Sequence, residues 1–284
     1  MSVITKAQKT WKKRPILLYI FCCLVFLFMM LPVVIVVLMS LSGADFLEFP
    51  PSNISLRWYR EFLSNQKWMG AAWNSIRVAS GTMVLSVFTG LLAALGLTNK
   101  AIKKKKPFNM ILMLPLMIPS IIVAVSLYFA FAKWNLIGTY TSLILAHSCL
   151  ALPFVVILIS SSLYGVDPQY YDAARTLGAG HFTSIRLVVL PLIKPAIFSS
   201  ILFSFITSFD EIIIASFICK IENITLPKVM FDHLKFSIHP MISAVSTILI
   251  FITITALLFN FLGKSAIQKI NTGFEKDKAD LQYL

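Results

Sequence analysis

The sequence predicts an all-α polytopic membrane protein with six transmembrane helices and with both termini on the cytoplasmic side. Three observations lead to this fold class: an apolar composition, apolar residues gathered in long blocks, and basic residues concentrated in alternate connections. The chain is 58% hydrophobic and 13% charged, with a mean hydropathy of +0.83, whereas soluble domains are about one-quarter charged. This composition excludes an ordinary soluble domain of 284 residues.

The apolar residues form six blocks, and each block is long enough to cross a membrane as a helix. About 20 residues, rising 1.5 Å each, span a hydrocarbon layer of about 30 Å. Membrane strands would be about half as long and would alternate polar with apolar residues. We therefore predict a six-span domain over 16–263, with tails at 1–15 and 264–284 and with spans at about 16–41, 76–97, 108–132, 140–163, 195–219 and 241–263.

The distribution of charge predicts the orientation. The formal charge is +13, and most lysines and arginines lie in the two tails, in the connection after the second block and in the connection after the fourth. Under the positive-inside rule these segments are cytoplasmic. The lysine run 103–106 is interpreted as a topology anchor, with a lipid-headgroup or nucleic-acid patch as the alternative. The first block is too long for a signal peptide, so we expect it to remain as an anchor.

The connection between the first two blocks, 42–74, predicts a short amphipathic helix. Pro50 and Pro51 exclude a helix before it, and Ser55 is a suitable cap for a helix over 56–63. We expect Leu56, Tyr59, Phe62 and Leu63 to share its apolar face, with Trp58 at the margin. Such a helix would lie in the membrane interface. A docking surface for a soluble partner is the sharper alternative.

Two spans carry internal signals. In the second, small residues recur every four positions, which lets helix backbones approach closely in lipid. In the third, Pro115 and Pro119 each remove a backbone hydrogen bond and should kink or unwind the helix. Broken helices often line transport pathways, so a pathway position and a packing kink both remain open. The small residues are Thr82, Ser86, Gly90 and Ala94.

The connection 164–194, between the fourth and fifth spans, is too long for a tether and too polar for a span. Asp167 and Pro168 are typical of a helix start. We therefore expect a short helix over 168–177, ended by Gly178 and Gly180. Its two consecutive alanines leave one face nearly bare, which favours insertion into a groove on another protein.

Seven residues at fixed spacing in this connection carry a family resemblance. They resemble the EAA loop, E-A-A-x3-G-x9-I-x-L-P, of the permeases of binding-protein-dependent ABC importers. Asp stands here in place of Glu and Val in place of Ile, so the shorter carboxylate reaches less far. The resemblance implies a MetI-like permease bundle, with ATPase-coupling residues at Asp172, Ala173, Ala174, Gly178, Val188, Leu190 and Pro191.

The resemblance also implies partners. These are two ATP-binding subunits, a second permease subunit in a hetero- or homodimer, an extracytoplasmic substrate-binding protein and the lipid bilayer of the bacterial inner membrane, with no nucleic acid. ATP and Mg would be bound by the partner subunits, and we predict no cofactor, metal or catalytic residue in this chain. Gly263-Lys264-Ser265 lacks the upstream glycine of a phosphate-binding loop, so the chain is predicted not to be an ATPase or other enzyme.

Further stretches resemble the spermidine/putrescine branch of the family, although branches for iron, thiamine, sulfate or opines share several of them. They include Ser55-Leu56-Arg57-Trp58-Tyr59, Ile118-Pro119-Ser120-Ile121-Ile122, Leu152-Pro153-Phe154-Val155, Ser208-Phe209-Asp210-Glu211 and Thr225-Leu226-Pro227. The resemblance implies import of a small solute, such as a polyamine, by alternating access.

The fifth block is interrupted only by Asp210 and Glu211. An ionised residue at mid-bilayer costs on the order of 2.5–3.5 kcal/mol, so the two carboxylates should face protein or a water-filled pathway, where a dication would be a natural partner. Adjacent helical side chains point about 100° apart, so both can face one pathway only if the backbone opens there. The alternative is a structural role, capping a helix end or pairing with Arg77 or Lys220. His147 is interpreted as a hydrogen-bonded packing residue.

Two other functions compete with an importer subunit. An ion-coupled secondary transporter would have no use for a cytosolic docking helix. An intramembrane enzyme would need facing Ser/Lys, Asp/Asp or metal-binding sets on the spans, and the sequence contains none.

Overall fold

The computed structural model describes residues 15–99, 102–236 and 239–255, and these ranges are almost entirely helical, which confirms the all-α class. Helices α3 to α11 form one compact unit over Asn65–Lys235, while α1, α2 and α12 belong to a second unit. In chain order the helices are α1 Pro15–Met39, α2 Arg57–Ser64, α3 Gln66–Thr98, α4 Lys106–Met117, α5 Ser120–Lys133, α6 Tyr140–Tyr164, α7 Pro168–Thr176, α8 His181–Leu192, α9 Lys194–Phe209, α10 Ile213–Ile218, α11 Leu226–Phe236 and α12 Met241–Thr255.

The apolar helices agree with a multi-pass membrane protein. Within the described ranges α1, α3 and α6 are each long and apolar enough to cross a membrane, and the pairs α4–α5 and α8–α9 qualify as bent spans. Helix α12 is shorter and covers the first part of the sixth predicted span. The rest of that span and most of both predicted tails lie outside the described residues, so the six-span count and the orientation of the termini stay predictions.

The helix that contains the second predicted span starts before that span. Helix α3 begins at Gln66 rather than near residue 76, because Asn65 caps it and accepts hydrogen bonds from the backbone N–H groups of Lys67 and Trp68. An Asn at this position satisfies donors that the first helical turn leaves free. The prediction from hydropathy captured the apolar part of this helix and missed its polar start.

The core of the Asn65–Lys235 unit lies where α3 packs along α6 and α9. The small residues Thr82, Ser86 and Ala94 are fully buried there. A side chain at Gly90 would place its Cβ 2.5 Å from Cγ1 of Val155, closer than real Cβ contacts. The prediction that small residues put this span inside a bundle is therefore confirmed.

The third block is broken at its second proline. Helix α4 ends at Met117, Ile118 and Pro119 are extended, and α5 leaves at 105° to α4. A proline disfavours helical geometry in the residue before it, which explains why the break falls at Ile118. Pro115 lies inside α4 without ending it. The predicted break is confirmed, and Pro119 is the residue that causes it.

The predicted cap of α2 is confirmed, but its apolar face was assigned correctly only in part. Ser55 Oγ accepts a hydrogen bond from the Arg57 N–H at 3.1 Å. Trp58 and Phe62 are the buried residues, and Trp58 donates its indole N–H to the carbonyl of Ala44. Trp58 therefore faces the protein rather than standing at the margin of a membrane-facing surface. Of the residues expected to share the apolar face, Phe62 is buried and Tyr59 is half-buried, while Leu56 and Leu63 are exposed.

A carboxylate helps to order the segment before α2. Glu48 Oε1 accepts hydrogen bonds from the Ser42 hydroxyl at 2.6 Å and from the Ser52 hydroxyl and N–H. These hydrogen bonds lower the pKa of Glu48, and the one from Ser42 has the largest effect. Glu48 therefore stays ionised around neutral pH and ties both ends of this turn together.

Candidate functional site: the EAA-type loop and the acidic helix break

The loop helix α7 has a well-defined start and end. Asp167 Oδ1 accepts a hydrogen bond from the Gln169 N–H at 2.9 Å, and Pro168 occupies the first turn. Gly178 has φ +88°, and the Ala179 N–H beyond it donates to the carbonyl of Ala174 at 3.0 Å. Glycine tolerates this left-handed conformation without strain, so it ends the helix where the spacing predicted. The helix ends at Thr176, one residue before the predicted boundary.

Helix α7 is presented on the surface of the described chain. None of its residues is buried, and Asp172 and Ala173 are both exposed. The flanking Leu177 is 88% exposed. In the described ranges no hydrogen bond or ion pair engages the Asp172 carboxylate. Such a short, polar helix with bare apolar neighbours is typical of a surface that a partner covers.

The second half of the loop is anchored to the bundle at a few buried positions, while most of its residues are exposed. Val189 and Ile193 are buried, and Ile193 belongs to a cluster with Ala94 of α3 and with Val155 and Ile159 of α6. The predicted motif therefore divides in two. The positions from Asp172 to Gly178 lie on α7 and at its end, whereas Val188, Leu190 and Pro191 lie in the last turns of α8, where Val188 and Leu190 are half-buried and Pro191 is exposed.

Polar contacts brace α7 against α8. The Tyr171 hydroxyl lies 2.6 Å from His181 Nδ1, and Arg175 donates to the carbonyl of Ala179 at 2.9 Å. These contacts connect α7 to the start of α8, and Ile193 at the far end of α8 packs on α3 and α6. Sequence reasoning missed Tyr171 and His181, because neither belongs to the motif.

The fifth predicted span, 195–219, is not one helix. Helix α9 ends at Phe209, Asp210 to Ile212 are outside α9 and α10, and α10 begins at Ile213. Asp210 is exposed and Glu211 is half-buried. Glu211 Oε1 accepts a hydrogen bond from the Ile214 N–H at 2.9 Å and so caps α10. The backbone opens at the acidic pair, as a shared pathway position would require.

Of the two structural alternatives for the pair, capping is present and ion pairing is not. In the described part of the chain none of the ion pairs includes Asp210 or Glu211. The Arg77 guanidinium lies instead 6.0 Å from the centre of the Tyr140 ring.

His147 is buried and hydrogen-bonded, as predicted. It is 1% exposed, and its Nδ1 lies 2.8 Å from Ser208 Oγ and 3.1 Å from the Ser208 carbonyl oxygen. Ser208 Oγ in turn donates to Thr82 Oγ1 at 3.2 Å. These contacts join α3, α6 and α9 immediately before the acidic break.

Sequence reasoning missed a second buried junction, at Asn74. Its amide nitrogen donates to the carbonyls of Glu222 and Ile224, both at 3.1 Å, and its amide oxygen accepts from the Tyr140 hydroxyl at 2.7 Å. A lone Asn close to an apolar block was the available signal. The described residues contain no group of three His, Cys, Asp or Glu side chains placed to hold a metal ion. The rejected segment Gly263-Lys264-Ser265 lies outside the described residues.

Broken apolar helices around a small-residue interface, together with an exposed loop helix, define a membrane-embedded transport component. Residues 86–275 match the family described as the inner membrane component of binding-protein-dependent transport systems, so the chain belongs to that family. It is a permease subunit of an ABC importer in the bacterial inner membrane.

Curated relatives resemble the chain over most of its length. The spermidine/putrescine transport system permease protein PotC of Haemophilus influenzae is 30% identical, over 85% of this chain and 94% of the relative. PotC of Escherichia coli K12 is 27% identical, over 89% and 96%. The putrescine transport system permease protein PotI of Escherichia coli K12 is 28% identical, over 79% and 82%.

Solved structures share the fold. A bacterial ABC transporter involved in the import of the acidic polysaccharide alginate matches with a TM-score of 0.68 at 18% identity, over 89% of this chain and 97% of that chain. A bacterial alginate ABC transporter in complex with a periplasmic protein bound to an alginate pentasaccharide gives 0.69 at 16%, over 91% and 96%. At these identities the likeness establishes the fold alone.

Proposed function

We propose that this chain is the permease subunit through which an ABC importer moves a polyamine, such as spermidine or putrescine, across the inner membrane. An extracytoplasmic binding protein delivers the substrate. Two ATP-binding subunits, using ATP and Mg, drive alternating access through this chain and a second permease subunit. The acidic break at Asp210 is the observation that carries the substrate assignment.

The substrate assignment follows from charge. A carboxylate within an apolar block is costly unless it meets water or an opposite charge. Asp210 is exposed where α9 ends, and no ion pair in the described ranges neutralises it. A polyamine is a flexible polycation whose ammonium groups supply such charges. The relatives named as spermidine/putrescine and putrescine permeases support the same class of substrate.

The proposed pathway includes both breaks. Helices α5 and α10, which follow the break at Pro119 and the break at Asp210, pack against each other through Ala124, Ile214 and Ile218. Non-helical backbone at membrane depth is tolerated where protein or a water-filled cavity surrounds it. We therefore assign Pro115, Pro119, Asp210 and Glu211 to the translocation pathway.

Coupling to ATP hydrolysis is assigned to α7. Its exposed face, with Asp172 and Ala173, fits a groove on the ATP-binding subunit, and its brace to α8 supplies the mechanical connection to the spans. Charge reversal by Asp172→Arg should reduce the amount of ATP-binding subunit that co-purifies with the permease. Glu222→Arg, which reverses an exposed acid outside the loop, should retain it. Equal retention by both variants would remove the assignment of α7.

The substrate assignment is tested by uptake of radiolabelled putrescine and spermidine into vesicles that contain the complete importer. The double variant Asp210→Asn with Glu211→Gln removes both charges, while Gln keeps an oxygen that can accept the Ile214 N–H. We expect uptake to fall at least about tenfold, since one lost charge–charge contact of about 1.4 kcal/mol corresponds to that factor. Glu222→Gln is the matched control. Undiminished uptake by the double variant would contradict the role of the acidic pair.

The same assay separates the competing functions. Uptake that requires ATP and the binding protein supports an importer, whereas uptake by the chain alone under an ion gradient would indicate a secondary transporter. An importer that hydrolyses ATP with its binding protein but ignores polyamines would carry another solute, such as iron, thiamine or an opine.

A further inference from the structure

The hydrogen bonds of the buried His147 all go to one residue. Its ring is 1% exposed, and both of its hydrogen-bond contacts pass through Nδ1 to a single residue, Ser208 of α9. Nε2 has no hydrogen-bond partner among the described residues. The side chain is thus directed at one point, the last turn of the helix that ends at the acidic pair.

The hydrogen-bond network assigns the tautomer of His147. The Ser208 hydroxyl donates its one proton to Thr82 Oγ1 at 3.2 Å, so Ser208 Oγ can only accept from the histidine. The Ser208 carbonyl is also an acceptor. Nδ1 must therefore carry the proton and donate to Ser208, which leaves Nε2 as an acceptor.

This donor meets a need that arises where a helix ends. The last four carbonyls of a helix lack intrahelical partners, and in an apolar environment an unsatisfied carbonyl is costly. Helix α9 ends at Phe209, and the Ser208 carbonyl also accepts from the Asp210 N–H just beyond the helix and, at a long 3.4 Å, from the Glu211 N–H. His147 shares the stabilisation of this carbonyl and links the turn to α6, while Ser208 links it to α3.

We infer that His147 is a positioning residue for the acidic pair. By holding Ser208, it keeps α9 ended and the backbone open at Asp210 and Glu211, so that Asp210 stays exposed. The use of this open backbone in transport rests on the proposed function. The geometry itself can be tested without any substrate.

The test compares substitutions that replace one ring nitrogen at a time. Asparagine places an N–H close to the position of Nδ1, and glutamine places one close to that of Nε2. If Nδ1 holds Ser208, His147→Asn should keep the geometry, while His147→Gln and the apolar His147→Phe should lose it. Ser208→Ala, which removes the hydroxyl and retains the carbonyl, should give a smaller change and serves if the ring variants fold poorly.

The readout is the accessibility of position 210. In membranes containing the full chain, Asp210→Cys is labelled with a membrane-impermeant maleimide, and labelling of the chain with its natural cysteines is subtracted. We expect His147→Phe and His147→Gln to change the labelling rate by about fivefold, the equilibrium equivalent of one lost hydrogen bond. His147→Asn should restore it. Leu177→Cys, on the exposed loop, should label at the same rate in every background.

The outcomes are distinct. An unchanged rate at position 210 in His147→Phe and His147→Gln would overturn the inference, and so would equal changes at positions 210 and 177, which indicate a global effect. A selective change that asparagine reverses would support it. If that change occurs while the neutral Asp210 and Glu211 variants import polyamines normally, the proposed substrate fails and the positioning role stands.

Discussion

Two apolar blocks of this permease are broken, and the chain breaks them by different means. The break between α4 and α5 contains Pro119, which prevents a helix locally. The break between α9 and α10 contains neither proline nor glycine. There, His147 donates to the end of one helix and Glu211 caps the start of the next. One break is encoded in the local sequence and the other in contacts made across the bundle.

The difference has a functional consequence. Pro119 disfavours helical geometry at Ile118 in every conformation of the protein, because the clash between a proline ring and the residue before it is local. A break held by hydrogen bonds between helices can respond when those helices move. We therefore expect the break at Pro119 to be a permanent feature of the pathway, and the break at Asp210 to be the one that alternating access can alter.

The largest expected effect comes from Pro119→Ala. Proline disfavours a helix interior by about 3 kcal/mol, so its removal should favour a continuous helix over a bent one by roughly 100-fold. Spin labels at the exposed positions Met110 and Phe129 report the change. A straight helix would separate their Cα atoms by about 28 Å, and the bent one brings them closer. Pro115→Ala is the control and should leave the distance unchanged, since Pro115 does not end α4. An unchanged distance in Pro119→Ala would mean that tertiary contacts hold this break too.

The next largest effect is expected from Asn74, which binds the segment between α10 and α11. Asn74→Ala removes three buried hydrogen bonds and leaves the carbonyls of Glu222 and Ile224 without their donor. We expect it to destabilise the protein by about 2 kcal/mol or more, because each unsatisfied buried group costs about 1–3 kcal/mol. Thermal unfolding in detergent measures the loss. Asn109→Ala, at an exposed position on α4, should have little effect. Equal melting temperatures for the two variants would argue against the junction.

A third helix end, at Gly178, is set by local geometry, like the Pro119 break. Its φ of +88° is unfavourable for other residues, and no atom lies within 4 Å of an added Cβ. Gly178→Ala should therefore act through backbone strain alone, at about 1.5 kcal/mol. We expect weaker binding of the ATP-binding subunit in a pull-down titration. Gly180→Ala adds the same methyl group at φ −65° and should bind normally. A similar loss in both variants would point to a steric effect.

The smallest effect separates the charge of Glu211 from its cap. Glu211→Gln keeps an acceptor for the Ile214 N–H, whereas Glu211→Ala removes it. Loss of a helix cap costs about 1 kcal/mol, so the alanine variant should unfold at a lower temperature than the glutamine variant. If the two variants unfold together, Glu211 does not hold this break.

Sequence patterns predicted the local features well. The apolar blocks, the break at Pro119, the start of α7 at Asp167 and its end at Gly178 all follow from hydropathy or from the backbone preferences of single residues. The residues that join distant segments were harder to predict from the sequence. Ser208 and Thr82 are ordinary small polar residues in apolar blocks, and nothing in their spacing links them to His147. The polar start of α3 was missed because hydropathy does not report a cap.

The sequence by itself determined the membrane character, the family and the position of the loop helix. These depend on composition, on short-range backbone chemistry and on a motif of fixed spacing. Only the tertiary structure decided that the fifth block divides at Asp210, that Trp58 turns inward and that Asn74 and His147 tie separate helices together. Hydrogen bonds between residues more than 60 positions apart depend on how helices pack, and no local pattern specifies that packing.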